Sequence, residues 1–193
     1  DNDIMPGKLN FVWLTLDSIR ADHTTMGGYE RDTTPHLQRI ADTDRGNSFS
    51  QCIAHTNWTR ASTASIVTGT YPTHHQVKGN TVIPDSLRTV PGLLGDVGYN
   101  TAAISRNANS SMGFDRGFDE FTWISASTIF DVCPYRTLVK YALNIHRHSA
   151  GFTTNTAKHA TPFLINDMAK RWMRGVESQP TPFFLYLHYN EPH

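Results

Sequence analysis

The chain has 193 residues, an apolar content of 38% and equal numbers of basic and acidic residues, 17 of each. This length and composition predict one globular domain rather than a disordered or fibrous chain. The zero net charge gives no support to binding of a nucleic-acid polymer or an anionic membrane surface. The sequence contains no run of about 18 apolar residues, so it predicts no transmembrane segment.

The residue patterns predict strands and helices that alternate along the chain. Strands are predicted at residues 10–16, 48–54, 100–105 and 182–189, of which the first and last are apolar enough to be buried on both faces. Helices are predicted from Pro35, at 62–67 before Gly69, at 90–97 and at 162–177. Residues 126–158 are predicted to form an insertion that contains some helix at 135–145.

Alternation of this kind favours an α/β fold, a mostly parallel sheet with helices on both faces. The sequence contains neither the GxGxxG motif nor the GxxxxGK[ST] phosphate loop, which argues against the nucleotide-binding folds that carry them.

Asp17 directly follows the first predicted strand, at the edge of a parallel sheet where ligands bind. It is either a turn or capping residue or a ligand of a divalent cation, and its position alone does not choose between them.

The run NWTRASTASIVTG, residues 57–69, holds five hydroxyl side chains close to a predicted helix start. Most hydroxyls at such positions cap the helix. The same position favours an anion, since the helix dipole and free N–H groups point at it. Composition alone favours the capping interpretation over a nucleophile.

Six runs in order resemble the sulfatase-like branch of the alkaline phosphatase superfamily. They are LTLDSIRADH (14–23), GYERDTTPHL (28–37), TASIVTGTYPTHHQV (63–77), GYNTAAIS (98–105), GFDRGFDEF (113–121) and PFFLYLHYNEPH (182–193). The resemblance implies an alkaline phosphatase-like α/β fold. It also implies that residues 1–193 form the N-terminal part of a single sulfatase-like catalytic domain.

The resemblance selects Thr59 as the catalytic residue. True sulfatases place a Cys or Ser, oxidised to formylglycine, nine residues before the Thr of a Thr-Gly pair, and Thr59 stands nine residues before Thr68. Threonine cannot form formylglycine, and Ala61 and Thr63 replace the Pro and Arg of the sulfatase motif. At this position the chain resembles nucleotide pyrophosphatase/phosphodiesterases and some phosphoglycerol or phosphoethanolamine transferases, which use an unmodified Thr.

Asn80 stands 21 residues after Thr59, where the phosphodiesterases carry a phosphate-binding Asn. Its alternative role is that of a turn residue after Gly79. Asp17 is followed by Ser18 rather than by the second Asp usual in sulfatases, which also resembles the phosphodiesterase and phosphonate hydrolase branches. Arg106 stands near the position of a sulfatase Lys, as either a substitute charge or a surface residue.

The resemblance further implies one or two divalent metal ions, Zn, Mn or Ca, bound by Asp17 and Thr59. Such an ion would lower the pKa of the Thr59 hydroxyl and neutralise the oxyanion. His193 matches a family histidine near the anionic group of the substrate. Asp22-His23 lies on the wrong segment for a metal site, and Asp115 and Asp119 are predicted to belong to a structural turn.

Three functions remain open. The first is a metal-dependent hydrolase or transferase of phosphodiester or phosphonate esters that acts through Thr59. The second is a sulfatase that cleaves sulfate esters by another route, and the third is a binding protein of the same fold without turnover. For either enzyme the expected partner is a small-molecule phosphate or sulfate ester.

Overall fold

The computed structural model describes residues 9–106, 113–148 and 161–190. Its four strands are β1 (Phe11–Leu16), β2 (Asn100–Ser105), β3 (Glu120–Trp123) and β4 (Phe183–Tyr189). Its helices are α1 (Pro35–Ala41), α2 (Thr59–Thr68), α3 (Pro72–His75), α4 (Val90–Asp96), α5 (Ile129–Val132), α6 (Tyr135–His148) and α7 (Pro162–Val176). Short 3-10 helices cover Ala21–His23 and Thr25–Gly27.

The strands form one parallel sheet in the order β1-β4-β2-β3. The register pairs Thr15 of β1 and Ser105 of β2 with His188 of β4. The carboxyl ends of three strands therefore meet at one edge of the sheet. This arrangement confirms the predicted parallel α/β fold.

Helices cover both faces of the sheet, as predicted. On one face, Leu164, Ile165 and Ala169 of α7 pack with Leu185 and Leu187 of β4 in the largest buried cluster.

On the other face, Phe184 and Tyr186 of β4 pack against side chains of α2 and α4, among them Ile66 and Leu94. Alternate residues of β4 thus serve opposite cores, which explains why the whole strand is buried.

The prediction that the first strand is buried on both faces is wrong. In β1, Phe11 is 45% exposed, Trp13 41% and Leu14 50%. The strand lies at the edge of the described sheet and pairs only with β4. A continuous apolar run therefore predicted a strand correctly but could not predict its place in the sheet order.

The strand predicted at residues 48–54 is also wrong, because this segment has no regular secondary structure. Phe49 is 81% exposed and Ile53 87%. Within the described residues the segment pairs with no strand, so its apolar side chains gain nothing from a pleated, half-buried surface.

The turn at residues 113–119 is structural, as predicted, and it leads into β3, which the sequence patterns did not predict. Asp119 accepts hydrogen bonds from the Thr101 amide at 2.8 Å and the Thr101 hydroxyl at 3.0 Å. Gly117 has a φ of 91°, and a Cβ there would lie 2.5 Å from the Thr89 hydroxyl. The turn holds the edge strand β3 against β2.

The predicted helix at 135–145 is confirmed and extended by α6, which packs on α7. The carboxyl group of Asp167 on α7 joins the two helices. It accepts hydrogen bonds from Thr137 at 2.5 Å, Lys140 at 2.9 Å and Arg171 at 3.0 Å. The rest of the predicted insertion, 149–158, lies outside the described residues. None of the helices in the described part of the chain is long and apolar enough to cross a membrane.

Candidate active site

Asp17 lies in the turn directly after β1. Its amide donates a hydrogen bond to the Tyr189 carbonyl at 3.0 Å, which continues the β1–β4 ladder by one residue. Ser18 then reverses the chain in the left-handed region, with a φ of 57°. The Asp17 side chain is only 10% exposed and lies at the sheet edge.

Thr59 is the first residue of α2, three residues earlier than the predicted start. The amide of Ser62 donates to the Trp58 carbonyl at 3.0 Å, which places the N-cap at Trp58. The Trp58 side chain makes no capping hydrogen bond. The backbone amides in the first turn of this ten-residue helix therefore lie beside Thr59, and none of them donates a capping hydrogen bond to the side chain of Trp58. Gly69, with a φ of 66°, ends the helix as predicted.

The chain folds so that Thr59 contacts Asp17. The Thr59 hydroxyl lies 3.3 Å from each of the two carboxylate oxygens, although the residues are 42 positions apart. The two predicted site residues are thus neighbours. Hydroxyl and carboxylate face the same space between the end of β1 and the beginning of α2.

Both side chains line a cavity of about 300 Å³. Its lining includes Asn57 and Trp58 before the helix, Ser62 and Thr63 in its first turns, and His188 of β4. A cavity of this size fits a small ester group, and its walls combine hydroxyl, carboxylate, amide and imidazole groups.

His188 belongs to this cavity, although the sequence patterns did not select it. It is 1% exposed, and its Nδ1 lies 3.0 Å from the Tyr186 hydroxyl. Its Nε2 lies 3.8 Å from Oδ2 of Asp17 and has no hydrogen-bond partner within the described part of the chain. Burial lowers the pKa of His188, and the neighbouring Asp17 acts in the opposite direction. The signal that could have found it was its place at the carboxyl end of the predicted strand 182–189.

Asn80 is not brought to the cavity. It is exposed in the turn after Gly79, whose φ is 55°, and it is not among the lining residues. The neighbouring Thr81 carbonyl accepts a hydrogen bond at 2.7 Å from Arg60, a buried residue of α2. This contact ties the Asn80 turn to the helix that carries Thr59. His193 lies outside the described residues.

Two other hydroxyls of the run 57–69 have packing roles, as expected. The Ser65 hydroxyl lies 3.0 Å from Nε2 of the fully buried His75, and Thr68 donates to the Ala64 carbonyl at 2.7 Å. Neither side chain lines the cavity.

The weaker candidates lie elsewhere. Asp22 pairs with Arg20 at 2.6 Å, and the His23 ring stacks on Tyr29. Arg106 donates to the Ile124 carbonyl at 3.1 Å, at the end of β3. None of these residues lines the cavity with Thr59.

The residues present fit part of a metal site. The Asp17 carboxylate and the Thr59 hydroxyl are oxygen ligands of the kind that hard and borderline divalent cations accept. Beside them, Nε2 of His188 has no partner among the described residues and is a further nitrogen that could bind a cation. No group of three or more His, Cys, Asp or Glu side chains occurs in the described ranges 9–106, 113–148 and 161–190.

The family model of the sulfatases matches residues 9–193. The chain belongs to the sulfatase family. Comparison with curated protein sequences gives no significant match.

Solved structures share the sulfatase fold of this chain. BT4656, in complex with its substrate D-glucosamine-2-N,6-O-disulfate, is 19% identical with a TM-score of 0.65, over 96% of this chain and 35% of that one. The phosphonate monoester hydrolase of Agrobacterium radiobacter is 16% identical with a TM-score of 0.66, over 96% and 41%. The C-terminal periplasmic domain of EcEptC from Escherichia coli, solved as a complex with Zn, is 14% identical with a TM-score of 0.60, over 96% and 44%.

This sulfatase-family chain thus spans between 35% and 44% of the length of these three structures. At such identities the likeness describes the fold alone. Relatives named for sulfate and for phosphonate esters share that fold, so the choice between the two substrates depends on the residues of the site.

Proposed function

We propose that this sulfatase-family protein is a metal-dependent hydrolase, or transferase, of phosphodiester or phosphonate esters, with Thr59 as the nucleophile. The observation that carries the proposal is the contact of the Thr59 hydroxyl with both oxygens of Asp17, 3.3 Å each, at the free N-terminus of α2. A hydroxyl held beside a carboxylate, at a helix end that favours anions, suits attack on a phosphoryl group.

In the first step, the Thr59 oxygen forms a bond to phosphorus while the bond from phosphorus to one ester oxygen breaks. The Thr59 hydroxyl gives up its proton to solvent, and the departing oxygen takes one up, so that the organic group leaves as an alcohol. The product is a threonine ester of the phosphoryl or phosphonyl group, which keeps the second organic substituent on phosphorus. Asp17 holds the Thr59 oxygen through the hydrogen bond that it accepts, and the first amides of α2 bind oxygens of the transferred group. A divalent cation held by Asp17 and Thr59 would supply positive charge for the attacking hydroxyl and the phosphoryl oxygens.

In the second step, water or an acceptor alcohol attacks phosphorus in this threonine ester and loses its proton, while the bond from phosphorus to the Thr59 oxygen breaks and the Thr59 hydroxyl regains a proton. Water yields hydrolysis, whereas an alcohol yields transfer. Asn80 is proposed to bind a phosphate oxygen by resemblance, which requires its exposed turn to reach the cavity when substrate is bound. His193 is proposed, also by resemblance, to contact the anionic group of the substrate.

The identity of Thr59 favours phosphate over sulfate. Formylglycine releases sulfate when its hemiacetal collapses, without attack on sulfur. A sulfated threonine lacks this route, so turnover of sulfate esters is expected to be slow. Sulfate ester hydrolysis is the second candidate because the family match and the relative named for a disulfated glucosamine point to it.

The test compares hydrolysis of bis-p-nitrophenyl phosphate and p-nitrophenyl sulfate by the same protein. We expect the phosphodiester to react faster, and Thr59→Ala to remove its turnover without loss of the fold. Thr59→Ser, which keeps a hydroxyl, is the matched control and should retain part of the activity. Faster sulfate turnover would identify the second candidate, and full activity of Thr59→Ala would exclude the nucleophile.

Asn80→Ala tests the substrate-binding assignment separately. Loss of one oxyanion donor is expected to lower kcat/KM by about 10- to 1,000-fold. Absence of bound metal together with absence of both activities would instead indicate a binding protein of this fold.

A further inference from the structure

His188, which lines the candidate site, has a buried Nε2 that finds no hydrogen-bond partner among the residues the structure describes. The ring is 1% exposed and its Nδ1 lies 3.0 Å from the Tyr186 hydroxyl, which leaves Nε2 as the ring nitrogen without a hydrogen-bond partner among the described residues. Leaving a buried polar atom without a hydrogen bond is energetically unfavourable. Such an atom therefore indicates a ligand that the described residues do not supply.

The surroundings of Nε2 favour a cation as that ligand. The nearest charged group is the Asp17 carboxylate, whose Oδ2 lies 3.8 Å away, too far for a hydrogen bond. The Thr59 hydroxyl lies 3.3 Å from this same Oδ2 and 3.3 Å from Oδ1. Two donors bound to one Zn²⁺ lie roughly 3.3–3.6 Å apart in a tetrahedral site. Both observed distances are close to these separations.

The fold explains why these three donors meet. Asp17 extends β1 by one residue, and His188 is the penultimate residue of the neighbouring strand β4. The parallel register brings both to the carboxyl edge of the sheet, and α2 packs there with Thr59 in its first turn. The donors thus come from three separate elements held by one core.

We propose that His188 binds the divalent cation directly through Nε2, as a third ligand beside Asp17 and Thr59. The inference rests on the proposed function only in assuming a cation at Asp17 and Thr59. It predicts that this member of the family prefers a metal that accepts nitrogen, such as Zn²⁺ or Mn²⁺, over the purely oxygen-loving Mg²⁺.

The experiment measures metal binding rather than turnover. The protein is freed of metal with a chelator and titrated with Co²⁺ at constant pH, and the visible absorption of bound Co²⁺ gives the dissociation constant. His188→Leu is expected to weaken binding at least about tenfold. His74→Leu, which removes an exposed histidine, is the matched control and should leave binding unchanged.

A second variant reports on the bond itself. In His188→Cys, the thiolate is expected to bind Co²⁺ and to add a near-ultraviolet charge-transfer band absent from the unsubstituted protein, which already contains Cys52 and Cys133. A merely structural role of His188 would not produce this band. For the unsubstituted protein, the ¹⁵Nε2 resonance of one buried histidine should shift when Zn²⁺ is added, which keeps the test open if a variant does not fold.

Unchanged Co²⁺ affinity in His188→Leu, no new band in Co²⁺-loaded His188→Cys, or no metal binding at all would each overturn the inference. The assay on bis-p-nitrophenyl phosphate separates it from the proposed function. Metal binding through His188 without phosphodiester turnover would refute the function alone, and turnover with unchanged affinity in His188→Leu would refute the ligand alone.

Discussion

The Thr59 hydroxyl and the Asp17 carboxylate, 42 residues apart in the chain, lie 3.3 Å apart at the carboxyl edge of the sheet. We expect Asp17→Asn to lower kcat for the phosphodiester at least about 100-fold, because the loss of a charged ligand removes several kcal/mol of stabilisation. The same variant should lose its bound metal, measured by elemental analysis. Asp22→Asn is the matched control, since Asp22 pairs with the exposed Arg20 and does not line the cavity. If Asp17→Asn changes neither the metal content nor kcat, Asp17 does not bind the metal.

A glycine is required at position 117. Its φ is 91°, and a Cβ there would lie 2.5 Å from the Thr89 hydroxyl and 2.6 Å from the Gly92 amide nitrogen. Gly117→Ala is therefore expected to lower the free energy of unfolding by about 1–3 kcal/mol or more, measured by urea denaturation. Gly95→Ala in α4 meets no atom within 4 Å and should instead stabilise the protein by up to about 1 kcal/mol. Equal effects of the two variants would contradict this account.

The contact between α6 and α7 depends on the charge of Asp167. Burial by itself raises the pKa of this carboxyl, but hydrogen bonds from Thr137, Lys140 and Arg171 outweigh it and lower the pKa to about 2. Because the folded value is below the unfolded one, the contribution to stability is complete above about pH 4 and is lost as the pH falls towards 2. Asp167→Asn should cost about 1.5–3 kcal/mol of unfolding free energy at pH 7.

The same variant should also flatten the acid limb of a plot of unfolding free energy against pH. Asp96→Asn is the control, since its pair with Arg88 is exposed on both sides and contributes little. If the acid limb keeps its slope in Asp167→Asn, the loss of stability at low pH comes from other carboxyl groups.

His75 makes stability depend on pH in a different range. The ring is fully buried, with Nδ1 accepting from the Val77 amide at 3.0 Å and Nε2 3.0 Å from the Ser65 hydroxyl. Burial lowers the pKa of His75 below its ordinary value of 6.5. Below pH 6.5 the unfolded chain binds a proton that the folded protein does not. The free energy of unfolding therefore decreases as the pH is lowered, until the pKa of the folded state is reached.

The slope from this one group is at most about 1.4 kcal/mol per pH unit. His75→Gln removes the titration, so the difference in unfolding free energy between this variant and the unsubstituted protein should shrink as the pH is lowered from 7 to 5. The exposed His74, replaced by Gln, is the matched control. A difference that does not change with pH would show that His75 does not titrate in this range.

Local pattern determined much of the architecture. The apolar run of β4, the amphipathic period of α7 and the Gly69 stop after α2 depend on neighbours in the chain, and each element was predicted close to its observed bounds. The family resemblance, counted from Thr68, likewise selected Thr59 and favoured Asp17 as a metal ligand, because a motif is a local property.

Only the tertiary structure decided which elements are neighbours. Sheet order makes β1 an edge strand with exposed apolar residues and leaves residues 48–54 without a strand partner. Register places His188 beside Asp17, whereas Asn80 remains in an exposed turn. These relationships join residues tens of positions apart through shared packing, and sequence patterns within one element do not record them. The sequence by itself therefore determined the family and the nucleophile candidate, while packing of β1, β4 and α2 decided which groups surround it.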